Sequence, residues 1–352
     1  MIIHSIFRDY SASFYSDFTF LNEIKAIPNK YFVVDKKVYD LYREELDPLL
    51  DSLVYFVDAN EESKTEVTAF KIIDQLIKLP TKRNTNLIVI GGGIVQDISC
   101  FLSSILYRGI SWFFVPTTLL AQTDSCIGSK SSINYLDYKN LIGTFYPPSK
   151  IFISSAFLGT LSQKDYLSGV GEMMKCALMD GKNAFNETSS HIDGLLNRDH
   201  STVLFEIKKA LSFKKKVIEI DEFDKNYRNI MNYGHTFGHA IESTSHFQVP
   251  HGQAIAIGLL IANEISVKRG LLKTDYNKEI RLAVARILSK ELLKNEYLSN
   301  NVIEKMKKDK KFLGTFHSCI LLSDTEIKKY NDVTDSEVAD SLEKIRNDFC
   351  ED

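Results

Sequence analysis

Four short, unbroken apolar runs constrain this chain most: Tyr31–Val34 (YFVV), Leu53–Val57 (LVYFV), Leu87–Ile90 (LIVI) and Trp112–Val115 (WFFV). A strand that reads as continuous Val, Ile, Leu and Phe is buried on both faces, which is the condition of a parallel sheet covered by crossover helices. Between the second and third runs, Lys64–Leu79 repeats its apolar residues at helical spacing, as a crossover helix should. Beyond about Leu158 such runs become rare and helical periodicity takes over, as in Val203–Ile220 and Ala254–Val267. The expectation is an α/β domain over residues 1–157, then a mainly α-helical domain over residues 158–352, packed closely with a cleft between them.

At 352 residues the chain is long enough for both domains, and 44% apolar with 25% charged residues leaves no sign of disorder. A formal net charge of −3 excludes a general nucleic-acid or anionic-membrane binder, because those partners need a broad basic surface. Cys100, Cys126, Cys176, Cys319 and Cys350 form no CxxC pair, so neither a disulfide framework nor a thiolate zinc site is expected. The opening MIIHSIFRDYSASFYSD has no basic segment followed by an apolar core, and no apolar run is long enough to span a bilayer. The expected location is the cytoplasm.

The run LIVI passes directly into Gly91-Gly92-Gly93, with Asp97 just before another apolar stretch. A strand, a tight glycine turn and a helix start let backbone N–H groups approach a pyrophosphate, although three glycines also make an ordinary steric turn. VPTTLLAQTDSCIGSKSSIN then gathers Thr117, Thr118, Asp124, Gly128, Ser129 and Lys130 just past a strand, where open α/β sheets bind ligands. Lys139 and Asn140 follow shortly after.

Four of the eight histidines, His235, His239, His246 and His251, fall within seventeen positions. His235 and His239 stand four apart, so on a helix they share a face, a spacing used by paired metal ligands. His251 opens HGQAIAIG, read as the start of the next helix. Zinc-type catalytic sites combine three protein ligands with an open position, and His/His/Glu is a common set. Spacing does not single out the third ligand; Glu172, in SGVGEMMKCAL with Lys175 on the same helical face, is a candidate.

Taken in order, ANEESK, GGGIVQD, YRG, VPTTLLAQTDSCIGSKSSIN, KNLIGTFYPP, GEMMK, DEFDKNYRNIMNYGHTFGHAIE, HGQAIAIG and KKDKK, between about residues 59 and 311, resemble the 3-dehydroquinate synthase family of the sugar phosphate cyclases. The resemblance implies a Rossmann-like first domain and a metal-binding second one. It implies a carbon–oxygen lyase of the shikimate pathway that converts 3-deoxy-D-arabino-heptulosonate 7-phosphate to 3-dehydroquinate and phosphate, with NAD transiently reduced. It also implies zinc or cobalt on Glu172, His235 and His251, with His239 left as a catalytic or substrate-contacting residue. NAD contacts would fall on Glu61, Lys64, Gly92, Gly93, Asp97, Thr117, Thr118, Lys130 and Lys139. Substrate contacts would fall on Asp124, Lys130, Asn140, Lys175, Lys214, Arg228, Asn232, His239 and Lys310 or Lys311. These are mostly cationic and amide groups, suited to a substrate bearing carboxylate, phosphate and hydroxyls. A homodimer is implied, with Arg108 reaching the neighbouring site.

Asn60 and Gln96 stand where the family usually has glycine, Ser129-Lys130-Ser131-Ser132 replaces GKTG, and Gln253 replaces the glutamate after His251-Gly252. These departures bear on substrate identity. The competing readings are another cyclase, of the 2-deoxy-scyllo-inosose synthase or sedoheptulose 7-phosphate type, a metal-dependent polyol dehydrogenase, and a non-catalytic NAD-binding protein.

Overall fold

The computed structural model describes residues 1–50, 53–136, 138–288, 292, 297–299, 301–308, 314 and 316–350. The chain forms two compact units, each drawn from two segments: Met1–Ser162 with His200–Phe223, and Gln163–Asp199 with Asp224–Asp352.

The first unit is built on a seven-stranded sheet. In chain order its strands are β1 (Ile2–Ile3), β2 (Tyr10–Tyr15), β3 (Lys30–Asp35), β4 (Val54–Val57), β5 (Asn86–Gly91) and β6 (Ser111–Pro116). A hairpin of β7 (Ile133–Tyr135) and β8 (Tyr138–Ile142) lies outside the sheet, and β9 (Lys150–Ser154) completes it. The spatial order is β1-β2-β9-β6-β5-β3-β4, parallel throughout except for the β1–β2 pair. The four apolar runs are β3 to β6, and Phe32, Val34, Ile88, Ile90, Val115 and Phe152 pack into one core with Phe20 and Phe157. From β3 the chain goes outward to β4 and returns to place β5 on the other side of β3. The carboxyl ends of β3 and β5 therefore form a switch point, where open α/β sheets bind ligands.

The expected crossover helix is Glu66–Leu76, shorter than the periodic stretch because Thr65 caps it, accepting from Thr68 N. The glycine turn runs from Gly91, the end of β5, into the Gly93–Ile105 helix. The helix His200–Ile220 also belongs to this unit.

The second unit is mainly helical, with one antiparallel hairpin of β10 (His317–Leu322) and β11 (Ile327–Val333). At its centre is the His251–Lys268 helix, in which every residue from Gly252 to Ser266 is buried. A helix apolar all round belongs in a core, and this one packs against both the Gln163–Met179 and the His235–Thr244 helices. The approach is close enough to require glycine. A Cβ on Gly252 would stand 1.8 Å from Ser168 O, and one on Gly171 would stand 2.2 Å from Gly252 O. Gly252 N also donates to Ser168 Oγ at 2.8 Å. Backbone contact at this crossing brings the neighbours of Gly171 and Gly252 together, and those neighbours are Glu172 and His251. Among the described residues no helix is long and apolar enough to cross a membrane.

Candidate active site

In the second unit four side chains converge. Glu172 sits at the crossing of two helices, 1% exposed, and neither carboxylate oxygen makes a hydrogen bond of regular geometry. Its Oε2 forms an ion pair with Lys175 Nζ at 2.6 Å. Its Oε1 faces His235 Nε2 at 3.8 Å and His251 Nε2 at 3.5 Å. Ligand atoms about 2.1 Å from a tetrahedral ion stand roughly 3.4 Å from one another, so this spacing leaves an ion-sized gap.

The two rings are turned for the same purpose. His235 Nδ1 faces the carbonyl of Tyr233 at 3.2 Å, and His251 Nδ1 faces Glu242 Oε2 at 3.2 Å. A ring that donates through Nδ1 keeps the Nε2 lone pair for a metal. His239, one turn beyond His235, is exposed, with its ring centroid 5.2 Å from that of His235 and 5.7 Å from that of His251. Ligand atoms of the three histidines all lie within 4.8 Å of one another. The His235–His239 pairing read from spacing and the set Glu172, His235 and His251 are thus both brought together here.

The electrostatics separate the roles. Burial alone would raise the Glu172 carboxyl, but the Lys175 ammonium, His251 and His235 reverse this and hold it well below the usual carboxylate range. Burial, and then the Lys175 charge, keep His235 well below its ordinary value, hence neutral. Burial opposes charge on His251 too, yet the Glu172 and Glu242 carboxylates prevail and push it up to about 10. Arg228, buried, and Asn232, donating to Asn229 O at 3.1 Å, lie on the Tyr227–Asn232 turn of the same unit.

In the first unit the expected nucleotide residues gather beyond β5 and β6. Gly92 lies against Thr118, where a Cβ would come within 2.9 Å of Thr118 Cγ2. Thr117 Oγ1 is buried without a hydrogen-bond partner, so a polar atom is left at the strand ends for a ligand. Asp97 pairs with Lys64 at 2.6 Å and accepts from Ser132 N and Oγ. Burial raises the Asp97 carboxyl above its ordinary value, against the pull of Lys64.

Lys64 also donates to Asn140 Oδ1 at 2.8 Å, and Asn134 Nδ2 donates to Glu61 Oε1 at 2.9 Å, so the β7–β8 hairpin is docked on this cluster. Asn140, expected among the substrate contacts, is thus held by Lys64, one of the residues expected at the nucleotide. Lys139 Nζ is 3.9 Å from Glu61 Oε1. Asp124, on a π-helical turn Ala121–Ser125, accepts from Lys214 Nζ at 2.8 Å, and Lys130 is exposed. Arg108 is exposed on the Leu106–Arg108 turn, and Lys310 and Lys311 lie outside the described residues.

The departures are satisfied locally. Asn60 Oδ1 accepts from Ser63 N, and Gln96 exchanges bonds with the Ser125 carbonyl and hydroxyl. Ser129 Oγ donates to Glu222 Oε1, and Gln253 Nε2 donates to Ile287 O at 3.1 Å. The Gln253 amide is therefore engaged with the backbone at Ile287. Glu242 and Asn134 were not foreseen. Glu242 had a signal, since it lies seven residues after His235 and three after His239, on their helical face.

Comparison with known proteins agrees over nearly the whole chain. The family profile described as 3-dehydroquinate synthase N-terminal matches residues 54–168, and that described as 3-dehydroquinate synthase C-terminal matches residues 169–312. The chain is 35% identical to a 3-dehydroquinate synthase of Dictyoglomus turgidum over 346 residues, covering 98% of this chain and 91% of the relative. It is 33% identical to one of Campylobacter concisus, covering 93% and 95%. Among solved structures, a 2-deoxy-scyllo-inosose synthase complexed with carbaglucose-6-phosphate, NAD+ and Co2+ superposes with a TM-score of 0.86 at 23% identity, covering 98% of this chain and 99% of that one. A 2-epi-5-epi-valiolone synthase of Streptomyces hygroscopicus with NAD+ and Zn2+ gives 0.81 at 22% identity, covering 96% and 97%.

Proposed function

The chain belongs to the 3-dehydroquinate synthase family, and on that premise we propose that it converts 3-deoxy-D-arabino-heptulosonate 7-phosphate to 3-dehydroquinate and phosphate, using NAD and a divalent metal. The observation that carries this is the buried Glu172 carboxylate, without a regular hydrogen bond, facing two histidine Nε2 atoms whose Nδ1 atoms are engaged elsewhere. Glu172, His235 and His251 would hold the metal, and His239 stays outside the set because it is exposed and Glu172 supplies the charge that a third histidine lacks. Gly92, Gly93, Thr117, Thr118, Asp97, Lys64, Glu61, Lys130 and Lys139 would hold NAD.

When bound, the metal supplies Lewis acidity to substrate hydroxyls, and NAD supplies reversible hydride acceptance. The residues of the chain bind and orient. Lys130, Lys175 and Arg228 would offset the charges of phosphate and carboxylate, and Lys214 fixes the Asp124 carboxylate through a 2.8 Å hydrogen bond. The exposed ring of His239 moves a proton to or from a substrate hydroxyl. We place the protein in the cytoplasm as a homodimer, with the exposed Arg108 extending to the partner's phosphate site.

A second reading, 2-deoxy-scyllo-inosose synthase, has the fold similarity in its favour. A substrate without a carboxylate has less use for Lys130, Lys175, Lys214, Arg228 and the Lys310-Lys311 pair. The deciding assay is phosphate release from 3-deoxy-D-arabino-heptulosonate 7-phosphate with NAD and zinc or cobalt. Formation of 3-dehydroquinate without net NADH is expected. Turnover of glucose 6-phosphate or sedoheptulose 7-phosphate instead replaces the substrate.

A further inference from the structure

We infer that Glu242 is the positioning residue of the metal centre: through His251 Nδ1 it fixes the ring and tautomer that present Nε2 to the metal, and it supplies the charge that Lys175 removes. This rests on the metal set proposed above. His251 is the first residue of its helix, after Pro250, so its side chain leaves from a helix end rather than from a packed helical face. Its Nδ1 meets Glu242 Oε2 at 3.2 Å from the last turn of the His235–Thr244 helix, while its Nε2 faces Glu172. His235 has the same need met differently, by the neutral carbonyl of Tyr233.

The asymmetry follows from charge. Glu172 is the anionic member of the set, and Lys175 Nζ, 2.6 Å away, offsets it. A divalent ion beside a neutralised carboxylate and two imidazoles, both of which must be neutral to ligate it, gains little Coulomb attraction. Glu242 restores one negative charge directly behind a ligand, and a ligating imidazole that donates to a carboxylate is also a stronger base. The nearby Gln253 cannot do this, since it is uncharged and bonded to Ile287 O.

The test is zinc and cobalt affinity by chelator competition for Glu242→Ala, Glu242→Gln and Glu242→Asp, with His251→Ala as the control and the melting temperature of each metal-free protein recorded. Orientation of a metal ligand from outside the set is worth about 10- to 100-fold in affinity. Glu242→Ala is expected to weaken both metals by that range and Glu242→Asp to recover part of it. Glu242→Gln, close in size to the native residue, is expected to weaken them by roughly tenfold with the metal-free melting temperature unchanged. Should Glu242→Ala not fold, the isosteric Glu242→Gln carries the test. Native metal affinity in Glu242→Gln and Glu242→Ala, with loss in His251→Ala, overturns the inference alone. Native affinity in His251→Ala overturns the metal set itself. A weakened affinity matched by a lowered metal-free melting temperature assigns Glu242 a structural role and overturns the inference.

Discussion

Lys175 Nζ lies 2.6 Å from Glu172 Oε2, one helical turn away, with both side chains almost wholly removed from water. Each group makes the other's charge tolerable in the core. Removing one leaves the other buried and uncompensated, at a cost of about 3–5 kcal/mol. Lys175→Met is therefore expected to destabilise the metal-free protein by about that amount and, because the competing cation is gone, to tighten zinc. Denaturation in a chelator followed by zinc titration reads both effects. An unchanged stability would mean that the pair does not persist in solution.

The two overlapping ligand sets give opposite results at His239. With metal on Glu172, His235 and His251, the variants Glu172→Ala and His251→Ala lose bound zinc and turnover together. His239→Ala should keep stoichiometric zinc while turnover falls by about 10²- to 10⁴-fold, the usual share of a general acid or base. Zinc lost from His239→Ala but retained by Glu172→Ala would favour the three-histidine set.

Asp97 is the shared anchor of Lys64 and Ser132 in the first unit. Asp97→Asn removes the charge and keeps the shape, and hydrogen bonds to charged groups contribute about 1.5–3 kcal/mol. NAD affinity is expected to fall by roughly 10- to 100-fold with zinc affinity unchanged. Fluorescence titration of both ligands checks this, and native NAD binding would remove Asp97 from the nucleotide set.

Acid stability should carry the mark of Glu337. Its hydrogen bonds with Arg269 lower its carboxyl from an ordinary 4.5 to about 2, against the effect of burial and with help from Thr334. A group depressed on folding stabilises above its unfolded value and loses that contribution as pH falls toward the folded one. The contribution is therefore complete above pH 4.5 and disappears between 4.5 and 2. Glu337→Gln is expected to lower stability near neutrality and to flatten the decline across that window. Melting temperatures from pH 6 down to about 2 measure it, and parallel curves for the two proteins would refute it.

What was legible in the sequence follows from where the information is local. The runs YFVV, LIVI and WFFV became β3, β5 and β6 because an interior strand covered on both faces needs little but apolar residues, whereas LVYFV became the edge strand β4, in which only Val57 is fully buried. The strand YSASFY, β2, has polar residues alternating with apolar ones and gave no comparable run, although it pairs with β9 inside the same sheet. The histidines were visible as a cluster, yet the preference for Glu172 and His251 over His239 came from resemblance rather than spacing. Glu172 is 79 residues from His251, and they meet only because two helix backbones touch at Gly171 and Gly252. Helical periodicity records which face is buried, not which helix lies against it. Glu242 shares the histidine face, but its partner His251 stands beyond the Ser245–Phe247 turn, so spacing along one helix does not pair them.

The glycine crossing also bears on heredity. A change to alanine at Gly252 or Gly171 drives a methyl group into the facing backbone and forces apart the two helices that carry Glu172 and His251. Two residues with no side chain of their own thus decide whether Glu172 and His251 face each other, so a loss-of-function change can arise where no reactive group is altered.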